Sequence, residues 1–200
     1  MLKNYGGYVT KIFLDNNIFD FLYDREIDLL HEFPKEQFII CVPKEVKFES
    51  ECIKDSDKLS FVKSLFVNHT VITHSYFGFY NDEHLPEYQR NGGFDKGLWA
   101  SSQEISFKAI LNDVFLKKDG GKHYKHDLYK NEGDIALAVR SVHNIVLTND
   151  RKGSKGAKKG PLNYAYDEGY GVVFLNDYDD IVSLNEYVRS SLESRGLNSW

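Results

Sequence analysis

Cysteine is scarce. The 200 residues hold two, Cys41 and Cys52, and they form no CxxC pair. Cys41 lies inside the apolar run FIICV and reads as a small core residue. The expected compartment is therefore the reducing cytoplasm. Long apolar runs are missing too: none approaches the ~20 residues that a membrane helix needs, so no membrane partner is expected. The opening stretch MLKNYGGYVTKIFLDNN has neither the apolar h-region nor the cleavage site of a signal peptide. There is no excess of basic charge. The net charge of −5 argues against a protein that coats nucleic acid nonspecifically, while leaving room for an enzyme that binds it locally. No GxxxxGK[ST] phosphate loop, no GxSxG nucleophile elbow, no internal repeat and no low-complexity tract occurs.

What is present is ample core material, 42% hydrophobic with 14% aromatic residues. The length suits one domain, 1–200, with an elaboration. Strand-like and helix-like stretches alternate. YVTKIFLD (8–15), QFIICVP (37–43), HTVIT (69–73), NIVLTND (144–150) and GVVFLND (171–177) read as strands. Between them, 17–33 reads as helix, with Ile18, Phe21, Leu22, Leu29 and Leu30 on its apolar face and a break near Asp24. A second helix starts at Pro43, a third spans 55–66 with Asp55 or Ser56 as N-cap, and GDIALAVRSVH forms another. This rhythm predicts an α/β fold with a central parallel sheet of about five strands and flanking helices.

Residues 74–130 break the rhythm and are too many for a simple connection. Their first part is aromatic and turn-rich; 98–118 then reads as an amphipathic helix with Ile105, Ala109 and Val114/Phe115 on one stripe. The segment is expected to be a helical insert, serving as a cover for the core or a lid over the site. The tail, 178–200, reads as a C-terminal helix capped by Gly196.

Acidic residues recur where strands end. Asp15 follows the first strand, Asp150 follows NIVLT, Glu49 sits early in the helix after Pro43, and Glu132 and Asp134 open the helix GDIALA. Ligands of open α/β sheets bind outside the carboxyl ends of the strands. Carboxylates gathered at that rim repel one another unless a cation neutralises them, and hard divalent metals prefer oxygen. The pattern points to a Mg²⁺ or Mn²⁺ site and to phosphoryl chemistry. Each acid also has an ordinary use. Asp15 and Asp150 suit helix N-caps, Glu49 resembles the exposed helical acids Glu45 and Glu51 beside it, and Glu132 and Asp134 complement a helix dipole.

Taken together, FLDNN, the glutamate six residues beyond Pro43, EGDIALA and VLTND resemble the motifs of PIN domains, in the same order and at the same junctions. This nuclease family includes the toxin ribonucleases of bacterial toxin–antitoxin pairs and relatives of flap endonucleases. The resemblance covers about residues 8–73 and 131–177, with the insert outside it. It implies a three-layer Rossmann-like fold and metal-dependent hydrolysis of phosphodiester bonds in single-stranded RNA, with DNA the lesser expectation. Asp15, Glu132 or Asp134, and Asp150 would hold one or two divalent ions, Glu49 would ligate a second ion or position the attacking water, and Asn17 would support them from behind. A cognate antitoxin protein and homodimerisation are further expectations of the family. The chain departs from the pattern at Asn16, where Ser or Thr is common, and the third acid stays open between Glu132 and Asp134. A catalytically silent PIN-like module that binds RNA or a protein is the alternative.

Other classes fit less well. A haloacid dehalogenase-type phosphohydrolase needs a second Asp two residues after the first, where this chain has Asn17. His123 and His126 have an HxxH spacing without a neighbouring third ligand for zinc. Two basic stretches remain. RKGSKGAKKG follows Asp150, and its Arg151, Lys152 and Lys155 suit RNA phosphates. In KKDGGKHYKHDLYK (117–130), His123, Tyr124, His126 and Tyr129 suit stacking on unpaired bases.

Overall fold

Five apolar runs form the sheet. They are Thr10–Leu14 (β1), Phe38–Pro43 (β2), Ile72–His74 (β3), Ile145–Thr148 (β4) and Val172–Phe174 (β5). In the computed structural model, which describes residues 9–94, 96–123, 125–150 and 159–197, all pairings are parallel and the order is β3-β2-β1-β4-β5. Strands buried on both faces read as continuous Val/Ile/Leu-rich runs rather than alternating ones. Phe13, Leu14, Cys41, Val42, Val146 and Leu147 accordingly have no solvent exposure. Burial pushes the Cys41 thiol up to about 12, as befits a core residue.

Eight helices flank the sheet among the described residues. They are Asn16–Asp24 (α1), Leu29–Glu32 (α2), Lys44–Ser50 (α3), Ser56–Val67 (α4), Ser102–Phe115 (α5), Glu132–Arg140 (α6), Pro161–Asp167 (α7) and Leu184–Glu193 (α8). The architecture is α/β and three-layered, Rossmann-like, as expected. No helix among the described residues is long and apolar enough to cross a membrane.

Local chemistry sets the boundaries. The break after Asp24 is real: Glu26 takes φ +53°, and Asp28 then caps α2 through Leu30 N. Asp55 caps α4 by accepting from Asp57 N and Lys58 N. The third strand starts later than HTVIT suggested, because His69 adopts φ +53° and the amides of Thr70 and Val71 still bond back to Leu65 O. The C-terminal helix is shorter than 178–200; it begins after its N-cap Ser183 and stops at Glu193, with Gly196 at φ +75° beyond it.

The insert departs most from expectation. α5 runs from 102 to 115 rather than 98 to 118, since Ser101 and Glu104 form a capping box that starts it. Its buried stripe is Glu104, Phe107 and Leu111; of the expected stripe Phe115 is half-buried against the core, whereas Ile105 and Val114 are exposed and Ala109 faces water. Phe107 lies face to face with Tyr164 of α7 and edge-on to Tyr170, so aromatic packing decides which of two apolar stripes turns inward. α5 and α7 both pack on α6, which itself contacts β1, β2 and β4. The helical part of the insert is thus a cover bearing on the core.

Candidate functional site

The strand order reverses between β1 and β4, and this switch point is where open α/β sheets bind ligands. Asp15 stands there, directly after β1. Its amide bonds to Leu147 O of the neighbouring strand, and its carboxylate caps α1 by accepting from Asn16 N at 2.7 Å. The other carboxylate oxygen accepts from Thr148 Oγ1 at 2.6 Å and Asn17 Nδ2 at 2.8 Å. Asp15 is only 6% exposed. Burial raises its pKa, the three hydrogen bonds lower it, and Asp150 raises it further.

Thr148 and Asn17 hold the two sides of this junction together. Thr148 Oγ1 also accepts from Asp150 N at 3.1 Å, and Asn17 Oδ1 accepts from Asn149 N at 2.9 Å. Asn17 thus orients Asp15 and fixes the loop that carries Asp150. Thr148 was not among the residues chosen from the sequence, although the Thr two positions before the acid in VLTND was visible.

The second half of the site lies between α3 and α6. Burial pushes Glu49 up to about 8, and Asp134, Asp15, Glu45 and Glu132 add to the rise. Four other carboxylates thus act on Glu49, and all four disfavour its ionisation. Gly133 makes the approach of α3 to α6 close; a Cβ there would lie 3.1 Å from both Glu49 carboxylate oxygens. Glu45 is no exposed acid. It is 6% exposed and its Oε2 is buried without a hydrogen-bond partner. Its i,i+4 relation to Glu49, which puts both on one helix face, was the available signal.

Glu132 and Asp134 separate clearly. Glu132 accepts from Arg90 Nε at 2.7 Å, from Arg90 Nη2 at 3.1 Å and from Tyr129 N at 2.8 Å. Its charge is matched by a guanidinium that is 8% exposed. Arg90, in the insert, also bonds Asp127 Oδ2 and the carbonyls of Tyr88 and Asp127. Asp134 instead acts on Glu49, whose pKa it raises more than any other charge does.

The donors of this neighbourhood are all oxygen and mutually repulsive, the condition that a hard divalent cation relieves, so their chemistry fits Mg²⁺ or Mn²⁺. They are not drawn into a closed set: among the described residues no three His, Cys, Asp or Glu side chains form a group that would hold a metal ion.

The basic stretches fall differently. Arg151, Lys152 and Lys155 lie outside the described residues, as does Tyr124. Lys122 turns inward, donating to Glu83 O, His84 Nδ1 and Asp127 Oδ2. His123 and His126 stack on each other, 4.1 Å apart, and Tyr129 is covered by Lys118 and Lys122. These rings are engaged within the chain.

No family model, no curated protein and no solved structure matches this chain.

Proposed function

We propose that the protein is a divalent-metal-dependent nuclease of PIN type, cutting single-stranded RNA. The observation that carries the reading is the linked set of carboxylates at the β1/β4 switch point, in which Asp150 raises Asp15 while Asp15 and Asp134 raise Glu49. Asp15, Asp150, Asp134 and Glu49 would hold the cation. Glu132, matched by Arg90, has a structural part in securing the insert to α6. A bound Mg²⁺ or Mn²⁺ supplies Lewis-acid stabilisation of phosphoryl oxygens and lowers the pKa of water. The chain's own contribution is positional. Thr148 and Asn17 leave Asp15 little freedom to rotate, and the Gly133 contact sets how near Glu49 comes to α6. RNA, an antitoxin partner and homodimerisation rest on the resemblance to PIN toxins alone.

A second reading, a silent PIN-like module that binds RNA or protein, is favoured by the absence of a closed three-ligand group among the described residues. Cleavage of a labelled single-stranded RNA in Mn²⁺ separates the two, with EDTA and an Asp15→Asn/Asp150→Asn double variant as controls. Asn caps helices as well as Asp does, so the variant keeps the start of α1. Cutting that both controls abolish is the expected result; binding without cutting selects the silent module.

A further inference from the structure

The irregular half of the insert carries four aromatic rings that the acid site does not use. Phe77 is their hub, 4.5 Å from Trp99, 4.9 Å from Phe94 and 5.7 Å from Phe79 between ring centroids. Trp99 is 80% exposed, Phe94 79% and Phe79 72%. Exposed apolar clusters of this kind mark binding surfaces.

The rings stand on a rigid base. Phe77 N donates to Leu98 O, Leu98 N to Ser75 O, Gly92 N to Tyr76 O and Gly78 N to Gly92 O, so three chain segments cross backbone to backbone. A Cβ at Gly97 would meet Gly92 O at 2.3 Å, and one at Gly92 would meet Ser75 Oγ at 2.4 Å. Only glycine permits crossings this close. A preordered surface loses less entropy on binding than a loose loop does.

The base is fastened to the acid site. Lys44, the first residue of α3, donates to Gln89 O and to Asn91 O, at 3.0 and 2.6 Å. Between those two carbonyls stands Arg90, which grips Glu132 at the start of α6. The helices carrying Glu49 and Asp134 thus hold the platform. Along the chain Lys96 falls between Phe94 and Trp99; it is exposed and near enough to Lys44 to lower its pKa.

We infer that Phe77, Phe79, Phe94 and Trp99 form a stacking platform for the unpaired bases of single-stranded RNA, with Lys96 beside them for the phosphates. The inference rests on the nuclease reading for its choice of RNA. Flat rings with a neighbouring cation suit bases on a polyanion, because every base has a face to stack and the strand brings the charge that Lys96 matches. Continuity with the acid-bearing helices lets one strand reach both places.

The test is fluorescence anisotropy of a labelled oligouridylate of about 12 nucleotides, within the span of single-strand sites. It uses the Asp15→Asn protein in EDTA so that nothing is cut. Trp99→Ala/Phe94→Ala on that background is expected to weaken binding about 30-fold or more, from two lost stacking contacts. Lys96→Ala is expected to flatten the salt dependence. Both aromatic side chains are exposed, and thermal melting checks the fold. Unchanged affinity in the double variant overturns the platform. So does equal binding of a duplex of the same length, or no RNA binding at all. Loss of self-association in sedimentation, with RNA affinity intact, overturns it in favour of a protein interface. Hydrolysis of bis(p-nitrophenyl) phosphate by the wild type and by Asp15→Asn, run in parallel in Mn²⁺, reads the acid site without bases. Activity that needs Asp15, with intact RNA binding in the double variant, sinks the platform alone. RNA binding through the rings without any hydrolysis upholds the platform and sinks the nuclease reading.

Discussion

Glu132 and Asp134 are two residues apart, yet their surroundings assign them different work. Glu132→Gln breaks a charge-assisted pair but leaves Arg90 with Asp127, so the expected cost is about 1.5–3 kcal/mol of stability. Metal-dependent activity, measured where the variant remains folded, should change little. Asp134→Asn should do the reverse. It removes a carboxylate from the set around Glu49, and loss of several kcal/mol of charge stabilisation corresponds to about 10²-fold or more in rate. Urea titration and single-turnover cleavage read the two effects separately, and a rate collapse in Glu132→Gln alone would reverse the assignment. Gly133→Ala splits stability from activity within one variant. Alanine is favoured over glycine inside a helix by about 1 kcal/mol, so the fold should hold or gain. The new Cβ, 3.1 Å from the Glu49 oxygens, pushes that carboxylate aside. A roughly tenfold fall in rate is expected, given that misplacement by about 1 Å costs about 10²-fold.

α5 shows what sequence periodicity supports and where it stops. Two apolar stripes are written on it, one with Ile105 and Val114, the other with Phe107 and Leu111, and spacing alone does not rank them. The rings of Tyr164 and Tyr170, more than fifty residues away in the chain, pack on the second. The contrast is measurable by chemical denaturation. Leu111→Ala, at a side chain with no exposure, should cost about 2–5 kcal/mol. Ile105→Ala, at 60% exposure, should stay within about 0.5 kcal/mol of wild type. The five strands and the positions of Asp15 and Asp150 were legible for the opposite reason: an apolar run closed by a polar residue is local information, and the parallel sheet uses it locally. Arg90 was not legible, and Glu45 only through its i,i+4 relation to Glu49. The joining of α3, α6 and the insert into one buried charge pattern leaves no mark in the spacing of any one segment.

Across the chain, buried titratable groups of opposite tendency shape stability against pH. Burial lowers His74 from 6.5 to about 3, with Arg140 adding to the fall. Burial raises Glu49 from 4.5 to about 8. Below pH 4.5, of these two groups, the histidine alone contributes a slope: it is protonated in the unfolded chain and not in the native one, so stability falls toward pH 3. Between 4.5 and 6.5 the native state holds an extra proton on Glu49 and lacks one on His74, and the two slopes oppose each other. Above 6.5 the carboxyl remains alone. The native state still holds its proton while the unfolded state has released it, so stability is lost as pH rises to about 8. Asp15, also raised by burial, contributes a loss of the same sign as pH rises above 3.8. In EDTA the urea midpoint should therefore peak between pH 4.5 and 6.5 and decline on both sides. Mn²⁺ should lift the alkaline limb selectively, since a cation held only by the folded carboxylates adds about 2.7 kcal/mol at a hundred times its dissociation constant. Glu49→Gln should flatten that limb without metal and leave the acid limb in place. An alkaline decline that Mn²⁺ does not touch would mean that these carboxylates share a neighbourhood but not a cation.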